Sequence, residues 1–546
     1  MRHTVKFVLV SVLLGSATGL ANAALTVDAS TLDKKVMAGY QGWFMTASDG
    51  SGAGWRHWAP QQTPSASNIS FEMWPDLREY GPAELTATNF KYRDGSNAGL
   101  YSAYNAATVD RHVKWMQDYQ IDGVFVQRFI GEAIHMRPVR DKVLQNIRTA
   151  SEKYGRVFAN MYDISGGNTT TLANDIKNDW KHLVDDLKIT QSNRYLRHGG
   201  LPVVSIWGYG FSDRPGNAAQ LNELLTWFKS TAPAQYRATV KLGVDPNWRS
   251  HSSSWQSAYR KAAVISPWTV GRYANESGAD NWRASKIAPD LAALEGSGVS
   301  YMPVIWPGFS WWNLKKGSSP FNQIPRNGGR FFWRQAYNAM AAGSNMIYVA
   351  MFDEVDEGTA MFKIAENAGQ IPTSGKFLTL DADGFNLPSD WYLRLMGESS
   401  RMLKGQRPLV STMPADPVDD TSGGGTPGAD TPTRTNSLQA GARMVSNQRL
   451  VSTNGSFHFD LQGDGNLVTY TSTGRVVWAS NTHGKGGTWL ALQGDGNLVL
   501  YTSSGQPVWA TGTNGKLVSY LILRNNGSLA LISPSGSVAW ESPAGE

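Results

Sequence analysis

Residues 346–359, MIYVAMFDEVDEGT, join an apolar run typical of a buried strand to four acidic side chains within five positions. If the strand continued through this cluster, the like charges would repel one another and the buried carboxylates would need partners. Gly358, directly after the last acidic residue, favours a turn at this point. The stretch therefore predicts a strand that ends in a turn carrying carboxylates.

Seven further apolar runs with strand character precede this one. In chain order the eight runs are KVMAGYQGWF (35–44), DGVFVQRF (122–129), RVFANMYDIS (156–165), LPVVSIWGYGF (201–211), VKLGVDPNW (240–248), AVISPWTVGRY (263–273), VSYMPVIWPGF (299–309) and MIYVAMFDEV (346–355). Stretches with the periodicity of amphipathic helices lie between them, such as residues 108–120 and 170–188. Eight alternations of strand and helix predict an α/β fold, a (β/α)8 TIM-like barrel. A doubly wound open sheet is the alternative, but no Gly-rich phosphate loop follows the first strand.

The ends of these predicted strands carry aromatic and charged residues in place of the Val and Ile of the strand bodies. Chemistry in a (β/α)8 barrel gathers at the carboxyl ends of the strands. The pattern therefore favours a carbohydrate cleft over packing at the barrel rim, and an apolar-ligand pocket would carry fewer carboxylates. The predicted substrate-binding residues are Arg128, Tyr162, Asp163, Trp207, Tyr209, Asp245, Trp306 and Trp312. His57 and His135 have no ligand-spaced partner, so both are expected to be isolated histidines.

Two of the four acidic residues are candidates for the carboxyl pair of a glycosidase. That reaction needs one carboxyl group that is protonated and a second that is ionised. Glu354 and Glu357 meet these terms only if the chain turns between them, because residues i and i+3 of a strand face opposite ways. Mutual repulsion and partial burial then raise one pKa above the other, which separates acid from base.

The segment EVDEGT, residues 354–359, is similar to the Glu-x-x-Glu-Gly-Thr segment of glycoside hydrolase family 99, the endo-α-1,2-mannosidases and mannanases. GYQGWF (39–44), WPGFSWWN (306–313) and PSDWYLRLMGESSRML (388–403) resemble segments of bacterial proteins of the wider 71/99-like group. The resemblance implies that Glu357 is the general acid/base. It also implies that Glu354 assists deprotonation of the substrate's 2-hydroxyl, which gives retention through an anhydro sugar. The expected activity is retaining, endo-acting cleavage of α-linkages in an α-mannan-type polysaccharide.

Val355 and Asp356 depart from the family pattern, which has an aromatic residue and a His at these positions. The alternative within the enzyme class is an α-1,3-glucanase or another glycosidase of the 71/99-like group. The alternative of another class is a non-catalytic carbohydrate-binding protein, against which the intact Glu pair argues. A solvated turn and a calcium loop are further interpretations of the acidic stretch, which lacks the Asp-x-Asp-x-Asp-Gly ladder of a calcium site. We expect neither a metal nor a cofactor.

A repeat of 31 residues occupies the end of the chain. LQGDGNLVTY (461–470) recurs as LQGDGNLVLY (492–501) and, degraded, as LRNNGSLALI (523–532). One small unit of short strands used three times predicts an all-β prism of the β-prism II type. The motif resembles the Gln-x-Asp-x-Asn-x-Val-x-Tyr repeat of bulb-type, monocot mannose-binding lectins. The resemblance implies that two copies bind mannose-type sugars, through Gln462, Asp464, Asn466 and Tyr470 and through Gln493, Asp495, Asn497 and Tyr501. The third copy, with Arg524, Asn526, Ser528 and Ile532 in these places, is expected to be structural only.

The predicted organisation has four segments. MRHTVK, a short apolar run and ANA at 21–23 indicate a secretory signal peptide over residues 1–23. A membrane anchor is the alternative, but the run is shorter than the ~20 residues that span a bilayer, so no membrane span is expected after cleavage. A glycoside hydrolase domain (24–410), a Gly/Pro/Thr-rich linker (411–436) and a lectin domain (437–546) follow.

Composition narrows the compartment and the partners. An exported chain without cysteine indicates a bacterial secreted or periplasmic protein whose stability comes from core burial. The net charge of +6 is small and the basic residues are dispersed, which disfavours nucleic acid as a partner. The expected partners are a polysaccharide substrate and mannose-type sugars.

Overall fold

The computed structural model of the protein describes residues 26–414 and 436–545, except 440–442, 447, 453–454, 494, 519 and 534–536. The predicted signal peptide and most of the predicted linker lie outside the described residues. The chain divides into two compact units, residues 1–423 and 424–546, and this division falls within the predicted linker. Within the described ranges, no helix is both long and apolar enough to cross a membrane.

The first unit contains a parallel barrel whose strands match the eight predicted runs. The strands of this unit are β1 (Val36–Tyr40), β2 (Leu85–Lys91), β3 (Asn97–Tyr101), β4 (Gly123–Phe129), β5 (Val157–Asp163), β6 (Arg197–His198), β7 (Leu201–Trp207), β8 (Thr239–Val244), β9 (Val264–Pro267), β10 (Ser300–Tyr301), β11 (Val304–Ile305) and β12 (Ile347–Val349). The barrel strands pair in the order β10-β9-β8-β7-β5-β4-β1-β12-β11. β10 pairs with β9 and β11 pairs with β12, and only two residues separate β10 from β11. The sheet therefore closes on itself, and the predicted barrel is confirmed.

Helices follow the barrel strands and form the outer layer. They are α1 (Ala106–Asp118), α2 (Ile130–His135), α3 (Arg137–Tyr154), α4 (Leu172–Asp185), α5 (Ala218–Thr226), α6 (Ser253–Tyr259), α7 (Glu276–Trp282), α8 (Ala288–Leu294), α9 (Arg330–Ala341) and α10 (Trp391–Leu403). The α1 helix illustrates why they form, since Asn105 caps its first turn and its buried face carries Val109, Val113 and Met116. The predicted alternation of strand and helix is thus present around the whole barrel.

Alternation along the strands decides which side chains reach the barrel interior. Gln127 Nε2 of β4 donates a hydrogen bond to the Tyr348 hydroxyl of β12 at 3.3 Å. The β1 strand lies between them, and a Cβ at Gly39 would sit 2.2 Å from that hydroxyl oxygen. Asp163 of β5 and Trp207 of β7 are in register and lie on the interior side. Glycine at position 39 therefore lets the Gln127 and Tyr348 side chains meet across β1 inside the barrel.

The second unit is built from three four-stranded antiparallel sheets. Its strands are β13 (Ser437–Gln439), β14 (Arg443–Val445), β15 (Arg449–Val451), β16 (Phe457–Leu461), β17 (Leu467–Thr471), β18 (Val476–Ala479), β19 (Gly487–Leu492), β20 (Leu498–Thr502), β21 (Pro507–Ala510), β22 (Tyr520–Leu523), β23 (Leu529–Ile532) and β24 (Val538–Glu541). The sheets are β13-β22-β23-β24, β14-β19-β20-β21 and β15-β16-β17-β18. Trp478, Trp509 and Trp540 from the three copies contact one another, with ring centroids 5.8 to 6.1 Å apart. The predicted prism is confirmed.

Candidate active site

The acidic turn follows β12 at the carboxyl end of the barrel. The backbone N–H groups of Gln41 and Gly42, just after β1, donate to the two Asp353 carboxylate oxygens at 2.7 and 2.9 Å. Burial raises the pKa of Asp353 to about 7, against the effect of these two hydrogen bonds. Asp353 therefore binds the turn to the neighbouring strand end.

Glu354 is buried and fully engaged by protein donors. Gln41 Nε2 donates to Glu354 Oε1 and Thr359 Oγ1 donates to Glu354 Oε2, each at 2.5 Å. Burial and the nearby charge of Asp356 raise the pKa of Glu354 to about 8, while these two hydrogen bonds favour its ionised form. The carboxyl group is thus held in one orientation by two donors.

Glu357 is the most exposed of the four acidic residues, although it is still half-buried. Its backbone oxygen accepts a hydrogen bond from the Ser310 N–H at 2.9 Å. Its carboxyl group accepts none within the part of the chain that the structure describes. Burial, followed by the charges on Glu354 and Asp356, raises the pKa of Glu357 well above its ordinary value. The raised pKa favours the protonated form of Glu357, and the carboxyl group is unattached.

Gly358 makes the turn between these residues and the next segment. Its φ of 67° lies in the left-handed region, as the turn prediction requires. A Cβ at this position would also approach the Ser310 N atom to 2.9 Å. Both constraints favour glycine here, and the turn lets Glu354 and Glu357 depart from strand alternation.

His57 contacts the acidic turn, which corrects the expectation that it is isolated. Its Nδ1 lies 3.3 Å from Asp356 Oδ2, and its ring stacks on Trp43 with centroids 3.9 Å apart. Burial lowers the pKa of His57 to about 4 and raises that of Asp356 to about 8. At neutral pH the contact therefore joins a neutral imidazole to a protonated carboxyl group rather than two ions. No local sequence pattern indicates this pairing, because His57 and Asp356 lie 299 residues apart in the chain.

Glu72 is a second residue that sequence reasoning missed. Its carboxylate accepts hydrogen bonds from the Ser310 hydroxyl, at 2.9 Å, and from the Asn313 N–H. Burial raises its pKa to about 7. The Glu72 and Met73 N–H groups also donate to the Val355 oxygen, at 2.8 and 3.2 Å. Val355 thus anchors the turn through its backbone, and a fifth carboxyl group lies beside the cluster.

Asp163 and Trp207, two of the predicted cleft residues, lie on the interior side of neighbouring strand ends. Burial raises the pKa of Asp163 to about 6, and the positive charge of Arg214 opposes this rise. The Arg214 guanidinium carbon lies 5.2 Å from the Trp207 ring centroid. Arg214 comes from the loop after β7 and was not predicted. Substrate contact by Asp163 and Trp207 stays a prediction, as does contact by the half-buried Trp312.

Arg128 and Tyr162 do not face the cleft, and their prediction is corrected. Arg128 donates to both Asp179 carboxylate oxygens at 2.7 Å and to Asp141 Oδ1 at 2.8 Å. The Tyr162 hydroxyl donates to Asp179 Oδ2 at 2.9 Å. Both residues occupy the strand positions that alternate with the interior ones, so their side chains enter the helix layer. They tie β4 and β5 to α3 and α4.

Three further predicted residues are engaged within the protein. Trp306 is fully buried against Tyr273 and Phe331, with ring centroids 5.5 and 4.8 Å away. Tyr209 is also fully buried. Asp245 accepts a hydrogen bond from the N–H two residues later, at 2.7 Å, in the turn after β8. Burial places Trp306 and Tyr209 in the packing of the barrel end, whereas sugar contact by Asp245 stays a prediction.

A cavity of about 250 Å³ adjoins the acidic turn. Its lining residues are Trp43, His57, Phe129, Gly131, Glu132 and Ser165. His57 connects this cavity to Asp356, and the Ser165 N–H donates to Asp163 Oδ1 at 2.8 Å. A larger groove of about 850 Å³ is lined mainly by α1 and α3 and contains none of the predicted site residues. We therefore place the candidate site at the smaller cavity and the adjoining turn.

Arg128→Ala is expected to destabilise the barrel by about 3–5 kcal/mol, because it leaves the buried Asp179 without its cation. Thermal or urea unfolding measures the change. Replacing both partners, as in Arg128→Met with Asp179→Leu, should recover part of the loss, since no buried charge then remains. Unchanged unfolding with a raised KM would instead restore the predicted role in the cleft.

Glu357→Gln is expected to stabilise the protein at alkaline pH. The carboxyl groups of the turn have pKa values near 4 when unfolded, but about 7 for Asp353 and about 8 for Glu354 and Asp356 when folded. Between these limits the folded state binds more protons, so the free energy of unfolding falls as pH rises. Removing the unattached Glu357 carboxyl should add about 1–3 kcal/mol near pH 9 and little near pH 4.

Thermal unfolding across that pH range checks the result. Glu152→Gln is the matched control, because Glu152 lies on the surface of α3 and accepts from Arg148 Nε at 2.9 Å. The control should show no gain at alkaline pH. A stabilisation by Glu357→Gln that is the same at both ends of the range would contradict the expected proton linkage.

The second unit repeats one set of polar contacts at its first two motif copies. In the first copy Gln462 Nε2 donates to the Tyr470 hydroxyl at 2.8 Å. The exposed Asp464 accepts the Asn466 N–H at 2.9 Å, and Asn466 Oδ1 accepts the Thr482 N–H at 2.9 Å. The second copy repeats these contacts with Gln493, Tyr501, Asp495, Asn497 and Thr513. The predicted residues are thus brought together in each copy, while sugar binding by them stays a prediction.

The third copy differs in the way its substitutions suggest. Ile532 replaces the tyrosine and is buried, and Arg524 pairs with Glu541 at 2.7 Å. Asn526 Oδ1 accepts hydrogen bonds from the Ser528 N–H, at 3.1 Å, and from the Ser528 hydroxyl, at 2.9 Å. These contacts leave the third copy without the Gln–Tyr pair of the other two.

The described residues contain no group of three or more His, Asp or Glu side chains that is arranged to hold a metal ion. Asp353, Glu354 and Asp356 contact backbone N–H groups, Gln41, Thr359 and His57.

No family model matches this chain, and no curated protein matches it. Among solved structures, the second unit is similar to monocot mannose-binding lectins from Gastrodia elata, at 36% identity over 20% of this chain and 96% of that chain, with a TM-score of 0.18. A lectin from Polygonatum cyrtonema, solved with a monomannoside, is 37% identical over 18% of this chain and 91% of that chain, with a TM-score of 0.17.

The endo-α-mannosidase of glycoside hydrolase family 99 from Bacteroides thetaiotaomicron is a third similar structure. It is 14% identical, the match covers 69% of this chain and 99% of that chain, and the TM-score is 0.51. This chain therefore shares its fold with that enzyme.

Proposed function

We propose that the first unit is a retaining glycoside hydrolase that cleaves internal α-linkages in an α-mannan-type polysaccharide. The second unit is then a mannose-binding module that targets the enzyme to its polymer. The chain acts as a secreted or periplasmic bacterial protein. The proposal combines the motif resemblance with the site geometry, and the shared fold with the family 99 enzyme supports it.

The observation that carries the proposal is the contrast between Glu354 and Glu357. Both Glu354 oxygens are held by donors, whereas the Glu357 carboxyl is unattached and half-buried, with a raised pKa that favours its protonated form. A general acid must be protonated and free to reach the leaving oxygen. A group that removes a substrate proton must be held in a fixed orientation and acts in its ionised form. The two donors fix Glu354 and favour that form, while burial and Asp356 hold its pKa at about 8, so the ionised fraction of Glu354 rises with pH. The two environments therefore suit the two roles that the motif implies.

The reaction then runs in two balanced steps. Glu354 takes the proton of the substrate's 2-hydroxyl as O2 of the same sugar attacks the anomeric carbon. At the same time Glu357 gives its proton to the departing glycosidic oxygen. The product of this step is a 1,2-anhydro sugar. Glu357, now ionised, takes a proton from water as the water oxygen attacks the anomeric carbon, and Glu354 returns a proton to O2. Two inversions at one carbon give net retention.

Buried indole N–H groups near the turn support a ligand rich in hydroxyls. The Nε1 atoms of Trp43, Trp207 and Trp311 are buried and have no hydrogen-bond acceptor among the described residues. Buried donors are normally satisfied. Sugar hydroxyl oxygens are acceptors of suitable size, and the indole faces suit the apolar faces of pyranose rings.

Incubation of the full chain with yeast α-mannan, α-1,3-glucan and xylan tests the proposal. Oligosaccharide release from the mannan alone is the expected result. Release from the α-1,3-glucan alone would show that the enzyme is an α-1,3-glucanase of the family 71 kind instead of a mannanase. Binding to the mannan without release from any of the three polymers would favour a non-catalytic carbohydrate-binding protein.

Asp464→Ala combined with Asp495→Ala is expected to weaken retention on immobilised mannan by about tenfold or more, since each loses a charge-assisted acceptor for sugar hydroxyls. Hydrolysis of insoluble mannan should slow, because tethered binding raises the local concentration of enzyme. Hydrolysis of short soluble substrates should not change. Asn526→Ala, at the same turn position of the third copy, is the matched control, and equal loss of retention in this control would contradict the assignment.

A further inference from the structure

Two lysine side chains lie over tryptophan rings beside the acidic turn. Lys315 Nζ is 4.5 Å from the Trp311 ring centroid, and Lys376 Nζ is 4.0 Å from the Trp312 ring centroid. We call these four residues the tryptophan-lysine rim. Both lysines are exposed and both rings are half-buried. The cations are therefore presented to solvent on rings that restrict their movement.

Short contacts fix the rim to the site. The N–H of Ser310, the residue before Trp311, donates to the backbone oxygen of Glu357 at 2.9 Å. The Asn313 N–H donates to the buried Glu72 carboxylate, and Asn313 Nδ2 donates to the backbone oxygen of Lys376 at 2.7 Å. The loops after β11 and β12 are thereby joined to one another and to the catalytic turn. The rim therefore adjoins the acidic turn.

The rim lysines carry charge that the protein does not pair. Within residues 26–414, no carboxylate oxygen lies within 4.0 Å of either ammonium nitrogen, whereas Lys363, Lys404 and Lys153 each have such a partner. The positive charges of Lys315 and Arg214 oppose the rise in the pKa of Glu357, and that of Lys376 opposes the rise in the pKa of Glu72. In addition, the buried Trp311 Nε1 has no acceptor among the described residues. Two lysines without an ion-pair partner and one indole N–H without an acceptor thus lie together beside the turn.

We infer that the tryptophan-lysine rim binds an anionic substituent of the glycan, so that the preferred substrate carries phosphate-ester or uronate groups. This inference rests on the proposed hydrolase function and adds a substrate class to it. Ammonium groups bind such oxygens through charge-assisted hydrogen bonds. The indole faces beneath them contact the neighbouring sugar ring. A neutral chain would leave both cations unpaired in the complex.

The test compares kcat/KM of the full chain on three short soluble α-mannan oligosaccharides. One is neutral, one carries a phosphate ester and one carries a terminal uronate. The wild-type protein should prefer one or both charged substrates by about five- to tenfold at low salt, with less preference at high salt. Lys315→Gln combined with Lys376→Gln should abolish the preference. Lys153→Gln, which removes a cation over the Tyr154 ring at the end of α3, should retain it.

The ratio of charged to neutral substrate separates this inference from a simpler role. If the lysines only tune Glu357, the double variant changes kcat/KM equally for all three substrates and the ratio stays constant, which would overturn the inference. Equal rates on all substrates in the wild type would also overturn it. If the wild-type protein prefers only one charged substrate, and the double variant loses that preference, the substrate identifies whether phosphate or uronate is recognised.

A binding measurement decides the matter even if no oligosaccharide is cleaved, in which case the proposed hydrolase function fails by itself. Mannose 6-phosphate should change the intrinsic tryptophan fluorescence at concentrations at which mannose does not. The Lys315→Gln and Lys376→Gln double variant should lose this difference. A difference that persists in the double variant would contradict binding at the rim.

Discussion

Glu357→Gln is expected to lower kcat on an unactivated α-mannan oligosaccharide by about a thousandfold, within the usual range for loss of a general acid. The glutamine has nearly the same shape but cannot give a proton to the leaving oxygen. The fold should survive, because the Glu357 carboxyl accepts no hydrogen bond from the described protein and its backbone contact with Ser310 remains. Steady-state kinetics with a parallel unfolding curve measures both quantities.

The leaving group provides the control for this prediction. An α-mannosyl fluoride needs little protonation on departure, so the variant should form the anhydro sugar from it at a rate close to that of the wild type. Glu152→Gln should change neither rate. An equal loss on fluoride and oligosaccharide would assign Glu357 to another role, and an unchanged rate on the oligosaccharide would remove it from the chemistry.

Glu354→Gln is expected to lower kcat by a similar factor, about a hundred- to ten-thousandfold, but on both kinds of substrate. Deprotonation of the 2-hydroxyl is required whichever group leaves, so an activated leaving group cannot rescue this variant. The comparison of the two variants on fluoride and oligosaccharide thus separates the acid from the base. A Glu354→Gln variant that is fully active on the fluoride would contradict the assignment.

Thr359→Val supplies a graded control for Glu354. It removes the hydroxyl that donates to Glu354 Oε2 at 2.5 Å but keeps the carboxyl group. Because this donor favours the ionised form, its loss should move the acidic limb of the kcat profile to higher pH and leave the maximum within about tenfold. Loss of activity at all pH values with an unchanged profile would indicate a purely structural role for Thr359.

The fold was predictable because each barrel strand is a continuous apolar run, and because helical periodicity separates the runs. The seventh run was predicted as one strand and is found as β10 and β11, with Met302 and Pro303 between them. Proline has no N–H to give to a sheet, which agrees with the interruption at this point. The prism was predictable because its repeat is nearly unchanged in the first two copies.

The site was predictable only where its residues are contiguous in sequence. Glu354 and Glu357 stand at a strand end, and an apolar run marks that end. His57, Glu72 and Arg214 come from loops, and no local pattern shows that they meet the turn or its neighbours. Arg128 and Tyr162 were predicted from their position at strand ends alone. Their strand neighbours Gln127 and Asp163 face the barrel interior, so alternation along the strands places Arg128 and Tyr162 in the helix layer.

The most direct test of the account follows the first product by ¹H NMR during hydrolysis of an α-mannan oligosaccharide. The predicted result is that the new reducing end appears first as the α-anomer and later mutarotates, and that Glu357→Gln yields none on the same timescale. First appearance of the β-anomer would contradict the retaining mechanism. Product formation by Glu357→Gln at the wild-type rate would contradict the central claim that the acidic turn after β12 carries the general acid.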